Sequence, residues 1–485
     1  MRLLTAIVLV PAFSVRRSVP AFLALLLAGP ASAQDVDPRI EQILAQVSAA
    51  RLTATVARLA AFGTRHTLSS QTDPARGLGA AAQWIHDEFR AASPRLQVSF
   101  DDYEIPAQGE RIVRDVRLRN VVAVLPGRTA RRIYVSGHYD TVARPVRPPK
   151  SGAAATTTAA ATTRANAAPT ESSDAAAPRG ASASGGFDWA AGDLPAPGAN
   201  DDGSGTALTI EAARAIAQSG IAFDATLVFV AFAGEEQGLV GAHLHAQKAL
   251  AQETVIDAVF NNDIIGNSRG GNGIVDAESV RVFAEGPEDS SSRQLARYVY
   301  RMAGRYVPSH RVRLIARHDR FGRGGDHTAF NQRGYAGVRF SEANENFARQ
   351  HVVEDTADGV DAAYLARNTR VNVAAAVSLA IAPAAPSVTN ERGAPQLDRG
   401  PSGYDARLRW RPSEGATGYR IFWREAWTPD WQFERFVGDV TEAVLPDVSI
   451  DDYVFGVAAV GPGGHESLVS AYVNPPRTPV EIKVK

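Results

Sequence analysis

The chain of 485 residues contains no cysteine. That excludes a disulfide framework, thiolate metal sites and cysteine catalysis, and any metal must sit on His, Asp and Glu. A charge excess is missing too: 51 Lys+Arg against 52 Asp+Glu leave a net charge of −1. This argues against a nucleic-acid partner recognised through a broad basic surface. Lysine is scarce, with four residues, so nearly all the positive charge is Arg. Beyond residue 33 no run is long and apolar enough to span a bilayer, so no stable membrane insertion is expected. What is present is ordinary for a globular chain of two or three domains: 45% hydrophobic and 21% charged residues.

Residues 1–33 read as a cleavable export signal. Arg16 and Arg17 precede an apolar stretch ending in Ala31-Ser32-Ala33. The stretch is too short for the roughly 30 Å of hydrocarbon a membrane anchor must cross. The expected location is therefore periplasmic or secreted. The apolar residues before Arg16 leave the true start codon and the export route open.

Residues 37–62 are expected to form a helix with Asp37 as its cap, followed by a helix near 79–89 and strands at 96–103, 112–125 and 132–137. Between 143 and 199 the composition turns to low complexity; 14 of residues 151–186 are Ala, with Thr, Ser, Gly and Pro. Lacking large apolar residues, this insertion is expected to be disordered. Helices at 204–218, 239–250, 292–306 and 362–382 then alternate with strands at 225–232, 255–261 and 337–340. The predicted fold is α/β, a mostly parallel mixed sheet flanked by helices, over residues 37–382. After a Pro/Ala linker at 383–390, residues 391–485 alternate like a small all-β sandwich. That part resembles a fibronectin type III module, with Trp410 as the core aromatic and Tyr453 as the late-strand tyrosine. It carries no catalytic cluster, and a role in binding protein or polysaccharide surfaces is expected.

Polar residues cluster where strands end, the usual place for sites in open α/β sheets. They are His138-Tyr139-Asp140, Asn200-Asp201-Asp202-Gly203-Ser204-Gly205, Gly234-Glu235-Glu236, Asp263 and Gln350-His351. Each has an ordinary reading alone: a hydrogen-bonded histidine, a helix cap at Asp201, a solvated helix start at Glu235-Glu236. Together they supply five N/O ligands without sulfur, a number that suits two zinc ions when one carboxylate bridges. Two Zn²⁺ set against three carboxylates and a hydroxide come close to neutral, which leaves a fourth carboxylate free to act as a base.

This set, in this order, resembles the co-catalytic dizinc exopeptidases, the family of bacterial leucyl aminopeptidases and glutamate carboxypeptidase. The resemblance implies that Asp201 bridges two Zn²⁺ ions, with His138 and Asp263 completing one and Glu236 and His351 the other. Glu235 would be the general base acting on a metal-bridging hydroxide. Asp140 would accept the second ring N–H of His138. Some members carry Tyr just before the last His; Gln350 stands there in this chain. Oxyanion or substrate contact is therefore expected of Gln350, of His327 or of the metal alone. Arg323 and Glu342 are pocket candidates for which a solvated surface position is the stronger reading. His243 and His245, two residues apart on a helix, should face different ways.

The implied activity is removal of N-terminal residues from peptide substrates. Carboxypeptidase action on the same fold is the alternative. Cyclases of related fold use one zinc, which the five-ligand set disfavours. A non-enzymatic adhesion protein would have no use for Glu235. A phosphatase is disfavoured because the Gly203 region lacks a P-loop lysine and carries two acids.

Overall fold

The computed structural model describes residues 36–145 and 186–474. The expected signal at 1–33 and residues 146–185 of the insertion lie outside them. Eight strands form one sheet: β1 (Gln97–Ile105), β2 (Val116–Leu125), β3 (Arg132–His138), β4 (Thr226–Phe232), β5 (Ile256–Asn262), β6 (Ser279–Ala284), β7 (Arg311–Ile315) and β8 (Gly337–Glu342). Their order is β1-β2-β4-β3-β5-β8-β6-β7. The centre, β4-β3-β5-β8, is parallel, while β1, β2 and the β8-β6 pairing are antiparallel.

Alternation along the central strands divides the core in two, because successive side chains of a strand point to opposite faces. Val121, Ile133, Val135, Phe229 and Phe260 face one layer of helices. That layer holds α1 (Pro38–Gln46), α2 (Ala49–Ala60), α3 (Gly77–Ala92) and α4 (Gly203–Gln218), while α5 (Val240–Ala251) is on the other side. Also in the first layer is α6 (Ser291–Tyr306); α7 (His327–Asn331) joins α5, and α8 (Ala362–Ile381) returns to the first layer. Val122, Tyr134, Val230 and Val259 face α5 and α7.

Two expectations need correction, and three short elements were not anticipated. The helix expected over 37–62 is two helices: Val47 is extended and Ser48 caps α2 through the N–H of Arg51. The strands β6 and β7 and the short α7, five or six residues each, were not read from the sequence. The end of the low-complexity stretch is packed rather than disordered. Ala196 and Ala199 are buried, Thr64 bridges Ala196, and Phe187 and Trp189 supply the ring area that the preceding residues lack.

The C-terminal residues form two antiparallel sheets. Seven strands make them up: β9 (Leu397–Arg399), β10 (Asp405–Arg409), β11 (Gly418–Glu425), β12 (Phe433–Gly438), β13 (Glu442–Ser449), β14 (Tyr453–Val460) and β15 (Ser470–Ala471). Their orders are β13-β10-β9 and β12-β11-β14-β15. Both sheets contribute to one core containing Trp410, Tyr419, Ile421 and Phe455. Trp410 is buried as expected, and Tyr453 packs edge-on against Phe433. The hydroxyls of Tyr419 and Tyr472, by contrast, bond the backbone at Ser413 and Arg409. The Pro/Ala stretch is itself packed: Val388 is buried and Ser387 bridges Arg411.

Candidate metal centre

The site lies at the carboxyl ends of β3, β4 and β5. Strand β3 delivers His138, the turn after β4 delivers Glu235 and Glu236, and the residue after β5 is Asp263. Helix α4 begins against β3 so closely that a Cβ on Gly137 would lie 2.6 Å from the Gly205 carbonyl carbon. A Cβ on Gly205 would lie 2.2 Å from the Asn262 oxygen. Glycine at both positions lets Asp201 and Asp202, just ahead of α4, approach the strand ends.

Asp201 sits between the two imidazoles. Its Oδ1 is 3.4 Å from His138 Nε2 and its Oδ2 is 3.0 Å from His351 Nε2. His138 Nε2 is also 3.8 Å from Asp263 Oδ1, and His351 Nε2 is 3.3 Å from Glu236 Oε1. All five expected ligands therefore converge, and four of them are at least nine-tenths buried. His351 adopts the left-handed backbone region at φ 55°, the kind of local strain that concentrates at functional sites.

The charges call for a cation. Glu236 Oε1 and Asp263 Oδ1 are buried with no hydrogen-bond donor. Burial pushes the carboxyls of Glu235 and Glu236 up, and neighbouring acids reinforce the push. Burial opposes charge on His138 and His351, yet the surrounding carboxylates outweigh it and hold both imidazoles well above their usual value. For Asp201 burial again opposes charge, and the two imidazoles prevail, drawing it well down. Carboxylate oxygens and imidazole nitrogens without sulfur are a donor set suited to zinc.

Asp202 also comes within 4.8 Å of His138 and Asp263. Its carboxylate is occupied, however: it accepts the N–H groups of His138 (3.0 Å), Gly205 (2.9 Å) and Ile264 (3.2 Å). Asp202 is thus a cap joining α4 to two strand ends, and Asp201 is the carboxylate left to face a metal.

Other expected site residues are placed differently. His138 Nδ1 bonds the backbone carbonyl of Asp140 at 3.2 Å, whereas the Asp140 carboxylate is 3.6 Å away. That carboxylate instead accepts the N–H groups of Glu235 (3.1 Å) and Glu236 (3.2 Å), fixing the turn that carries them. His327 is fully buried; its Nε2 meets the His318 carbonyl at 3.0 Å, and burial lowers it to about 4. Its Nδ1 has no hydrogen-bond partner among the described residues. The Gln350 amide is held at both ends, donating to Glu345 (2.9 Å) and accepting from Arg323 (3.0 Å). Glu342 is fully buried, not solvated, and accepts from Asn200 and Asn267. His243 and His245 diverge as expected, toward Arg333 and toward Asp101.

Four supporting residues escaped the sequence reading. Arg65, fully buried, donates to the carbonyls of Tyr139, Pro197 and Gly198 and so braces the approach to Asp201. Arg339 pairs with Asp263 from behind. Asp355 accepts the N–H groups of Asn200 and Asp201. Asp326 is buried with both oxygens lacking a donor, and burial raises it to about 8. Only Asp355 carried a sequence signal, its place four residues after His351; the arginines act across more than 70 residues of chain.

Comparison with known proteins agrees with this geometry. A "Probable zinc metalloprotease" of Pyricularia oryzae is 37% identical over 477 residues, covering 90% of this chain and 84% of the relative. A second, from Pyrenophora tritici-repentis, is 33% identical and covers 89% of this chain and 96% of its own length. The LapA aminopeptidase of Legionella pneumophila shares the fold, with a TM-score of 0.50 and 19% identity over 72% of this chain and 76% of that one. Residues 120–376 match the profile of Peptidase family M28. This span runs from β2 into α8 and contains every proposed ligand, and the chain belongs to Peptidase family M28.

Proposed function

We propose that this protein is an exported zinc aminopeptidase that holds two zinc ions and removes N-terminal residues from peptides. The observation that carries the reading is the position of Asp201, one oxygen toward His138 and the other toward His351. His138, Asp201 and Asp263 would hold one ion; Asp201, Glu236 and His351 would hold the other. Bound zinc supplies Lewis acidity and lowers the pKa of water to about 7.

Glu235 is the general base. It takes a proton from the attacking water and returns it to the departing amine. Asp140 holds the Glu235 backbone in place, and the Asp140 carbonyl fixes the tautomer of His138. With the Gln350 amide held at both ends by Glu345 and Arg323, oxyanion assistance falls to the metal or to the unpartnered Nδ1 of His327. Asp326 is buried near Glu235 with both carboxyl oxygens lacking a donor. Such acceptors suit a substrate's α-ammonium group better than an α-carboxylate and support aminopeptidase over carboxypeptidase action. The C-terminal sheets we read as a fibronectin type III-like module, and residues 1–33 as the export signal.

The test is metal content and cleavage together. Mature protein should hold about two zinc ions and release N-terminal residues from a peptide panel, with loss on chelation and recovery on zinc addition. One ion per chain, cleavage from the carboxyl end, or undiminished turnover after complete metal removal would each refute the corresponding part.

A further inference from the structure

Beside the metal centre four side chains form a ladder. The Arg144 guanidinium carbon lies 5.1 Å from the Phe187 ring centre. Phe187 and Trp189 stack with centres 5.0 Å apart, and the Arg111 guanidinium carbon lies 5.0 Å from Trp189. The ends are tied to the two ligand segments of one proposed ion. Arg144 N–H donates to the His351 carbonyl at 2.9 Å, and Arg111 Nη1 donates to the Glu236 carbonyl at 3.0 Å. Phe187 also meets the His351 ring edge-on at 5.6 Å.

Both guanidiniums are exposed, and among the described residues neither is paired with a carboxylate. Of the other arginines near the site, Arg339 is spent on Asp263 and Arg320 on Glu345, Arg65 on backbone carbonyls and Arg323 on the Gln350 amide. Asp188, between the two rings, turns its carboxylate back to accept the Ala190 N–H at 3.1 Å. The site thus carries a cationic rim set off from the proposed ligand His351 by the Phe187 ring, which lies 5.6 Å from the His351 ring and 5.1 Å from the Arg144 guanidinium. Each extended residue spans about 3.3–3.6 Å, so a carboxylate one or two residues beyond the cleaved bond reaches that rim.

We infer that Arg144 and Arg111, braced on Phe187 and Trp189, recognise a substrate carboxylate just beyond the scissile bond. The enzyme then selects short peptides whose two ends carry opposite charge, or peptides with an acidic residue in that position. This rests on the aminopeptidase reading. A guanidinium stacked on a ring keeps its N–H edge free for a carboxylate, which is the geometry required.

The test compares leucyl-glycyl-glycine with its C-terminal amide, and leucyl-aspartyl amide with leucyl-asparaginyl amide, on the zinc-loaded enzyme. Preference within the first pair identifies a terminal carboxylate; preference within the second identifies an acidic side chain. Wild type should favour the carboxylate form of one pair about tenfold in kcat/KM. Arg144→Gln and Arg111→Gln should each shrink that ratio toward one through KM, with zinc content retained. Ratios near one in wild type, or a ratio unchanged in both variants, would overturn the inference while leaving the peptidase reading intact. Cleavage of none of the four peptides by zinc-loaded wild type would overturn both.

Discussion

Arg339 and Asp263 meet inside the sheet, Nη2 to Oδ2 at 2.9 Å, with the arginine fully buried. The same guanidinium reaches Asp319 Oδ2 at 3.1 Å and the Gly324 carbonyl. Burial opposes charge on Asp263, and Arg339 overcomes it and holds the carboxylate ionised. Arg339→Met would strip Asp263 of its buried arginine and leave Asp319 with Arg320 alone, a loss of about 3–5 kcal/mol for a broken buried pair. Denaturant unfolding should show a fall of that size. Zinc titration should show the weaker binding on the Asp263 side, since removing a ligand's supporting contact typically costs about 10–100-fold in affinity. A variant as stable as wild type would mean Asp263 needs no support.

Glu235→Gln preserves shape and removes the base. Its backbone N–H still reaches Asp140, so the turn bearing Glu236 should persist. Zinc content is expected to stay at the wild-type level while turnover drops about 10²–10⁴-fold. Metal analysis beside steady-state kinetics on one preparation decides it. Normal turnover would remove Glu235 from the mechanism.

Two acids on one segment should give opposite pH behaviour. Burial raises Glu342 from its usual 4.5 to about 8, although three N–H donors pull the other way. Protonated in the native state and ionised when unfolded, it contributes stability below about 4.5 that is lost as pH rises toward 8. Glu345 is opposed by burial but drawn down to about 2 by Arg320 and Arg281. Its contribution is present above about 4.5 and lost as pH falls toward 2. Melting curves of wild type against Glu342→Gln should therefore diverge to wild type's disadvantage between about pH 5 and 8. Against Glu345→Gln, wild type's advantage should shrink below about pH 4.5. Parallel curves in either comparison would show that the acid does not titrate in that window.

The C-terminal sheets are fastened to the peptidase part. Arg424, nearly fully buried, holds Asp289 through two bonds of 2.7 and 2.9 Å. Trp431 donates to Gln294 on α6, and Leu468 belongs to the main core. Arg424→Met should cost stability at or below the low end of about 3–5 kcal/mol, because Asp289 keeps some solvent contact. Ending the chain at residue 385 should lower the melting temperature more than that variant does, since it also uncovers α6. Calorimetry checks both. An unchanged melting temperature after truncation would show the two parts to be independent.

Much of this was legible in the chain. The alternation of apolar strands and helices predicted the central sheet, and the strand-end positions of His138, Glu235-Glu236 and Asp263 predicted where chemistry would gather. Local periodicity carries such information because a strand's faces and a helix's stripe are set within a few residues. The strands β6 and β7 were missed because they are short, six and five residues. Ser48 was missed because a cap interrupting an apolar pattern reads as part of it.

The sequence by itself determined which residue types could act: without cysteine, a metal centre had to be built from His, Asp and Glu. It also determined that His138, Glu236 and Asp263 would stand at strand ends. Only the tertiary structure decided that Asp201 faces the imidazoles while Asp202 spends its oxygens on backbone N–H groups. Only folding could turn Asp140 toward the Glu235-Glu236 amides, bury His327, and close Arg339 behind Asp263. The reason is physical. A carboxylate's role depends on which donors reach it first, and those donors come from segments tens to hundreds of residues apart.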